Sequence, residues 1–235
     1  MAGSSEICDN CTVGALWQKA SIRMKTLTID VVSDVVCPWC YVGKRRLEGA
    51  LDMLAKEHPD VVPEVRWHAF QLNPDMHPEG IERSEYVKNK FGDRADSIYE
   101  RVSGVGQDVG IAFKFDQIKR QPNTIQAHSL IAACDSLDGQ ERMVEALFQA
   151  YFLEGRDLTD PQVLVEVAIT AGMSPFVAEE CLSNEALMQE TRDSDQSARE
   201  MGVTGVPFFI FNRKVGVSGA HESESLYQAM TESVA

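Results

Sequence analysis

The run Lys25-Thr26-Leu27-Thr28-Ile29-Asp30-Val31-Val32, followed by Cys37-Pro38-Trp39-Cys40 and then Tyr41-Val42-Gly43-Lys44-Arg45-Arg46-Leu47-Glu48-Gly49-Ala50-Leu51-Asp52-Met53-Leu54, is where the fold can be read. The first segment is β-branched and alternates early, the pattern of a strand. In the last, Leu47, Ala50, Leu51 and Leu54 recur at steps of three and four, the period of an amphipathic helix. Pro38 suits a first helical turn, where its missing N–H costs nothing. The cysteine pair therefore stands where a strand feeds a helix N-terminus. Unpaired N–H groups and the positive end of the helix dipole favour a thiolate there, and in such settings a thiol pKa falls from about 8.5 into the range ~3.5–7.5. That makes Cys37 the nucleophile and Cys40, one turn on and shielded, the resolving thiol. Pro38 and Trp39 complete the motif. Trp39 lies between the two sulfurs in sequence and is placed to tune their access and potential.

Working outward, Pro59-Asp60 ends this helix and Val62 to Ala69 reads as a second strand. From Gln71 to Met201 the strand signal nearly vanishes. Asn123-Thr124 precedes a helix carrying Ile125, Leu130, Ile131 and Cys134, and Met143, Val144, Leu147, Phe148, Tyr151 and Phe152 keep helical spacing. Asp160-Pro161 and Ser174-Pro175 each read as a cap followed by a first-turn proline, Gly172 closes the helix before Ser174, and another runs from Asn184 to Arg199. The stretch from Pro74 to Phe115 is less regular. Strands return as Gly205-Val206-Pro207-Phe208-Phe209-Ile210-Phe211 and Val215-Gly216-Val217-Ser218, a hairpin spacing, and Glu222 to Ser233 forms a closing helix. The expectation is an α/β fold whose mixed sheet is built from both ends of the chain. Residues 24–70 and 202–235 would form one discontinuous domain, 71–201 a large all-helical insertion, and 1–23 a flexible extension.

The 235 residues carry 22 Lys+Arg against 36 Asp+Glu, a net charge of −14, and are 44% hydrophobic. That is a globular composition. Without a basic excess the chain is not built to meet nucleic acid or an anionic membrane surface. No apolar run reaches the roughly 18–20 residues of a membrane span. Met1 to Arg23 lacks the ~7–15-residue apolar segment of a secretory signal, so the chain reads as cytoplasmic.

Six cysteines include a second pair, Cys8 and Cys11. Zinc held by all four paired cysteines is the rival to redox chemistry, but residues 12–36 separate Cys11 from Cys37, beyond the usual spacing of about 12–20. No metal site is expected. Cys8 and Cys11 read as incidental thiols of a tail, with metal binding or relay to the active pair left open. Cys134 and Cys181 fall on apolar faces and read as core residues. His128 reads as a structural histidine, His68 falls on a strand where either face is open to it, the Met143-to-Phe152 stripe reads as core, and Lys44-Arg45-Arg46 reads as a solvated helix face. Val206-Pro207, just before a strand, raises the question of a cis bond. Base rates favour trans by roughly twenty to one, whereas a cis bond would turn the Val206 backbone toward a bound chain.

Asp34-Val35-Val36-Cys37-Pro38-Trp39-Cys40-Tyr41-Val42-Gly43-Lys44, Asn73-Pro74-Asp75, Asn123-Thr124 with Ala127-His128, and Gly205-Val206-Pro207-Phe208-Phe209 together resemble the DsbA family of thioredoxin-like proteins, with a FrnE-like branch the most similar. The resemblance covers about residues 24–233. It implies a thioredoxin-like fold interrupted by a helical domain, dithiol–disulfide exchange, a cis Pro207 beside the cysteines, and substrate binding at Val206 and Pro207. It also places Asn123 and His128 near a cleft. One position departs: where many thioredoxin-like enzymes bury an acid six residues before the nucleophile, this chain has Val31, with Asp30 beside it. Proton removal from Cys40 is thus unassigned.

The function expected is a thiol:disulfide oxidoreductase acting on disulfide- or thiol-containing proteins or small molecules, as monomer or dimer. The reducing poise of a cytosol points to reduction or isomerisation over net oxidation. No organic cofactor is required, with glutathione as a candidate reductant or co-substrate. Two other readings stand beside it. One is a glutathione-dependent isomerase or transferase of the hydroxychromene-carboxylate isomerase or kappa-class type, whose members typically bear serine where Cys37 stands. The other is a chaperone-like binding module without turnover.

Overall fold

A computed structural model describes residues 24–234, so the expectations for 1–23, Cys8 and Cys11 included, lie outside the described residues. Strand β1 (Lys25–Ser33) leads into helix α1 (Pro38–Glu57), and β2 (Val61–Ala69) returns parallel to β1, pairing Ile29 with Val65 and Val31 with Trp67. From the far end of the chain, β5 (Phe208–Phe211) lies antiparallel to β1 on its other side, and β6 (Val215–Ser218) pairs with β5. The sheet is mixed, in the order β2-β1-β5-β6. Strand β1 buries Leu27, Ile29 and Val31 on one face, and on the other only its C-terminal end, Val32, is buried apolar. Leu27, Ile29 and Val31 pack with Leu47, Ala50 and Leu54 of α1 and with Leu226 and Met230 of α9 (Ser223–Val234), while Val32 packs with Phe70, Ala198 and Val203.

Between β2 and β5 the chain is largely helical. The sequence signals place α4 (Ile125–Ala132), α5 (Leu137–Phe152), α6 (Pro161–Thr170), α7 (Pro175–Ser183) and α8 (Glu185–Glu200). The Asp160 side chain caps α6 by accepting from the Gln162 amide at 2.9 Å, and Ser174 caps α7 from the Val177 amide at 3.3 Å. The less regular segment, Pro74 to Phe115, holds α2 (Arg83–Phe91) and α3 (Ala95–Asp108). Helix α2 buries only Arg83 and Tyr86 and so writes no apolar stripe, whereas α3 and its C-cap carry Ile98, Val102, Val105 and Val109 at helical spacing, a stripe interrupted by Gly104 and Gly106. A two-residue ladder, β3 (Ile81–Glu82) against β4 (Arg120–Gln121), also escapes sequence reading.

Two side-chain expectations are corrected. Lys44 is not on a solvated face. It is 3% exposed, with Nζ 2.5, 2.6 and 2.9 Å from carboxylates of Glu48, Glu141 and Glu145, because α5 lays its acidic i, i+4 pair over this side of α1. Beside it Tyr41 stacks on Phe148 with ring centroids 4.8 Å apart, which fastens the active-site helix to the helical region. Cys181 is buried, but Cys134 is only half-buried; its Sγ donates to the Leu130 carbonyl at 3.3 Å, and burial still pushes its thiol up to about 11.

Candidate active site

Cys37 is the N-cap of α1, with extended φ and ψ of −95° and 112°, and its side chain makes no cap hydrogen bond to the helix. Cys37 and Cys40 are both unpaired thiols, 5% and 1% exposed. No acidic residue lies in the first turn of α1 to oppose an anion there. The two sulfurs differ in acidity. A hydrogen bond from Cys40 holds the Cys37 thiol below its ordinary range; burial opposes this, the Cys40 and Trp39 amides assist, and the nearby Asp34 charge works against it. Burial pushes Cys40 well above its ordinary range, as do its hydrogen bond to Cys37 and the charge of that neighbour.

The Val206–Pro207 peptide is cis. The Val206 carbonyl lies 3.7 Å from Cys37 Sγ and accepts from the thiol. Helix α1 leans directly on Pro207. A Cβ added at Gly43 would lie 2.8 Å from Pro207 Cγ and 3.2 Å from Phe209 Cζ, so only glycine permits this approach. Cys37, Pro38, Trp39, Cys40, Val206 and Pro207 thus meet at one place, where the N-terminus of α1 faces the chain entering β5.

Asn123 serves the neighbouring loop. Its Oδ1 accepts from the Ile125 amide at 2.9 Å and Gln71 Nε2 at 3.0 Å, and its Nδ2 donates to the Met76 carbonyl at 2.6 Å. His128 is buried, with Nε2 3.4 Å from Oδ1 of Asp34. Asp30, beside the position of the expected acid, pairs instead with His68 Nε2 at 2.8 Å, while Val31 is core.

Asp34 belongs to the stretch that carries the family resemblance, but its sequence context assigns it no role. It is fully buried, its Oδ2 accepts from the Leu72 amide at 2.8 Å, and its backbone carbonyl accepts from the Cys37 amide at 3.0 Å. The one signal available was an acid between Ser33 and two valines, three residues before the nucleophile. The zinc alternative drew two ligands from Cys8 and Cys11, outside the described residues, and no helix among the described residues is long and apolar enough to cross a membrane.

Known proteins resemble this chain over most of its length. The solved structure most useful here, a probable DsbA oxidoreductase SCO1869 from Streptomyces coelicolor, is 29% identical, superposes with a TM-score of 0.81, and covers 88% of this chain and 90% of its own. The cytosolic disulfide reductase DsbM from Pseudomonas aeruginosa, solved with GSH, shares the fold at 21% identity and a TM-score of 0.59, over 88% of this chain and 96% of that one. Among curated proteins, the uncharacterized protein YwbO of Bacillus subtilis (strain 168) is 24% identical over 208 residues, 88% of this chain and 97% of that protein. The family model for the DSBA-like thioredoxin domain matches residues 28–231, and this chain belongs to that family.

Proposed function

We propose that this protein is a thiol:disulfide oxidoreductase in which Cys37 attacks and Cys40 resolves. The observation that carries the reading is the placement of two free thiols in the first turn of α1, with Cys37 at its N-cap and its sulfur 3.7 Å from the Val206 carbonyl beside cis Pro207. The Cys40 hydrogen bond, which holds Cys37 down, and burial, which pushes Cys40 up, favour the same assignment. The Cys37 thiolate attacks a substrate disulfide R–S–S–R′, bonding to one sulfur and expelling R′–S⁻. Cys40 loses its proton and attacks Cys37 Sγ, which forms the Cys37–Cys40 disulfide and releases R–S⁻. Two electrons pass from the protein to the substrate, and the reverse sequence oxidises a dithiol. Val206, beside the nucleophile, offers backbone groups to an extended substrate segment, and residues 71–201 would wall the cleft as a unit distinct from 24–70 and 202–235.

A cytosolic site of action and glutathione as the reductant fit this reading, supported by the likeness to a cytosolic disulfide reductase solved with GSH. In a reducing pool the enzyme works as a reductase or isomerase rather than a net oxidase. The test is a redox titration in glutathione buffers, with alkylated thiols counted peptide by peptide by mass spectrometry. Cys37 and Cys40 are expected to pass together through one two-electron transition. Cys40→Ser should accumulate a mixed disulfide at Cys37, and Cys37→Ser should abolish exchange. Thiols that fail to titrate as a pair would sink the reading. Turnover of a glutathione conjugate by Cys37→Ser would then favour the isomerase alternative, and client binding without exchange the chaperone-like one.

A further inference from the structure

Between the sheet and helices α4, α5 and α8 lies a cavity of about 120 Å³, and none of Cys37, Cys40, Val206 and Pro207 lines it. Its walls are mostly apolar: Val35, Trp67, Ile131 and Val144 are buried, and Leu187 is half-buried. Three buried polar side chains, Ser33, His128 and Thr191, are set into those walls. Thr191 is already engaged, since its Oγ1 donates to the Leu187 carbonyl at 2.8 Å and meets Ser129 Oγ at 3.3 Å. His128 is engaged on one side only, where Nε2 faces the Asp34 carboxyl at 3.4 Å. A carboxylate at that nitrogen selects the tautomer carrying N–H there, which leaves Nδ1 as an acceptor. Ala132 and Glu190 line the cavity from exposed positions, so it opens to the surface between them.

We propose that this cavity is a binding site for a small neutral hydroxyaromatic molecule, a phenol, whose ring lies among Trp67, Ile131 and Val144 and whose hydroxyl donates to Nδ1 of His128. Three properties of the cavity set that class. The first is size: an apolar cavity of about 150 Å³ takes benzene, so this one admits a single six-membered ring with a small substituent and no fused system. The second is charge. No lysine or arginine lines the cavity, His68 is already paired with Asp30, and the Glu190 carboxylate stands at the opening. An anion such as benzoate would lose its hydration there with no cation to replace it, and a cationic head would meet Glu190 only at the solvent edge. The third is polarity. A plain hydrocarbon leaves the buried Nδ1 unpaired, which is costly, whereas one ring hydroxyl satisfies it. An apolar chamber with a few placed polar groups is the usual form of a small-molecule site. Binding there requires neither cysteine, so it stands apart from the dithiol-exchange reading.

The experiment titrates the full chain against para-fluorophenol, fluorobenzene and para-fluorobenzoate and follows the fluorine resonance of each probe by NMR. The para-fluorophenol line is expected to broaden and to sharpen again when unlabelled phenol displaces it. Fluorobenzene should bind roughly five-fold more weakly, about the worth of one net hydrogen bond, and para-fluorobenzoate should not bind. Two substitutions tie the signal to the cavity. Ala132→Trp closes the opening from an exposed position, where the fold is not at stake, and Ala69→Leu thickens a buried part of the wall. Each should abolish the broadening, with circular dichroism confirming that the variant is folded. A parent line that does not broaden, fluorobenzene or para-fluorobenzoate binding as well as para-fluorophenol, or broadening that persists in Ala132→Trp and in folded Ala69→Leu would overturn the proposal.

Discussion

Asp34 limits how acidic Cys37 becomes. Its negative charge acts against the thiolate that the Cys40 hydrogen bond and the helix amides favour. Asp34→Asn removes that charge and keeps an oxygen for the Leu72 amide, so the Cys37 titration is expected to move to lower pH. Iodoacetamide alkylation of Cys37 followed across pH measures it, and an unmoved or upward-moving midpoint contradicts the assignment. A more acidic Cys37 is also a better leaving group, so the variant should be more oxidising. The two cysteines were legible because three neighbouring residues and a helix start suffice to define them. Asp34 was not, because what gives it meaning lies 38 and 94 residues away at Leu72 and His128, and only folding brings them together.

Between elements, the joint of α1 with α5 is electrostatic as well as aromatic. Burial pushes the Glu145 carboxyl up, but Arg45 and Lys44 more than offset it and hold the group at about 2, below its ordinary 4.5. A carboxyl whose folded pKa is depressed stabilises the fold above its unfolded pKa and loses that contribution as pH falls through the folded value. Glu145 therefore contributes stability at neutral pH that drains away between 4.5 and about 2. Glu145→Gln is expected to unfold at lower denaturant at neutral pH and to show a flatter loss of stability across that acid window; urea unfolding at stepped pH checks both. The sequence hid this joint. A Lys-Arg-Arg run looks the same whether solvent or an acidic helix faces it, and nothing local to residues 44–46 says that Glu141 and Glu145 will arrive. The caps of α6 and α7, by contrast, were readable because cap and helix lie within three residues of each other.

At the scale of the whole molecule, one buried apolar network runs from Leu27 and Phe209 in the sheet through Tyr41 to Phe148 and Phe152 in the helical region. Phe148→Ala should cost about 3–5 kcal/mol, the usual range for a buried aromatic, and unfolding followed by circular dichroism and by tryptophan fluorescence should remain one coincident transition. Two separated transitions would mean that the sheet and the helices hold together independently. The bracketing of helices by strands was legible because β1 alternates apolar and polar residues and β5 is a continuous apolar run, whereas β3 and β4 are too short to show any period. The same bracketing has a consequence for biosynthesis. Strand β5 begins at Phe208, long after β1 ends at Ser33, so the ribosome delivers the cysteines well before the Val206–Pro207 wall that stands beside them. At roughly 5–20 residues per second, the nascent chain spends on the order of ten seconds or more with one edge of β1 unpaired and Cys37 without its Val206 neighbour. Open strand edges invite pairing with other chains, and here such an edge lies next to a thiol, so a segment translated long after β1 is the one that encloses its reactive end.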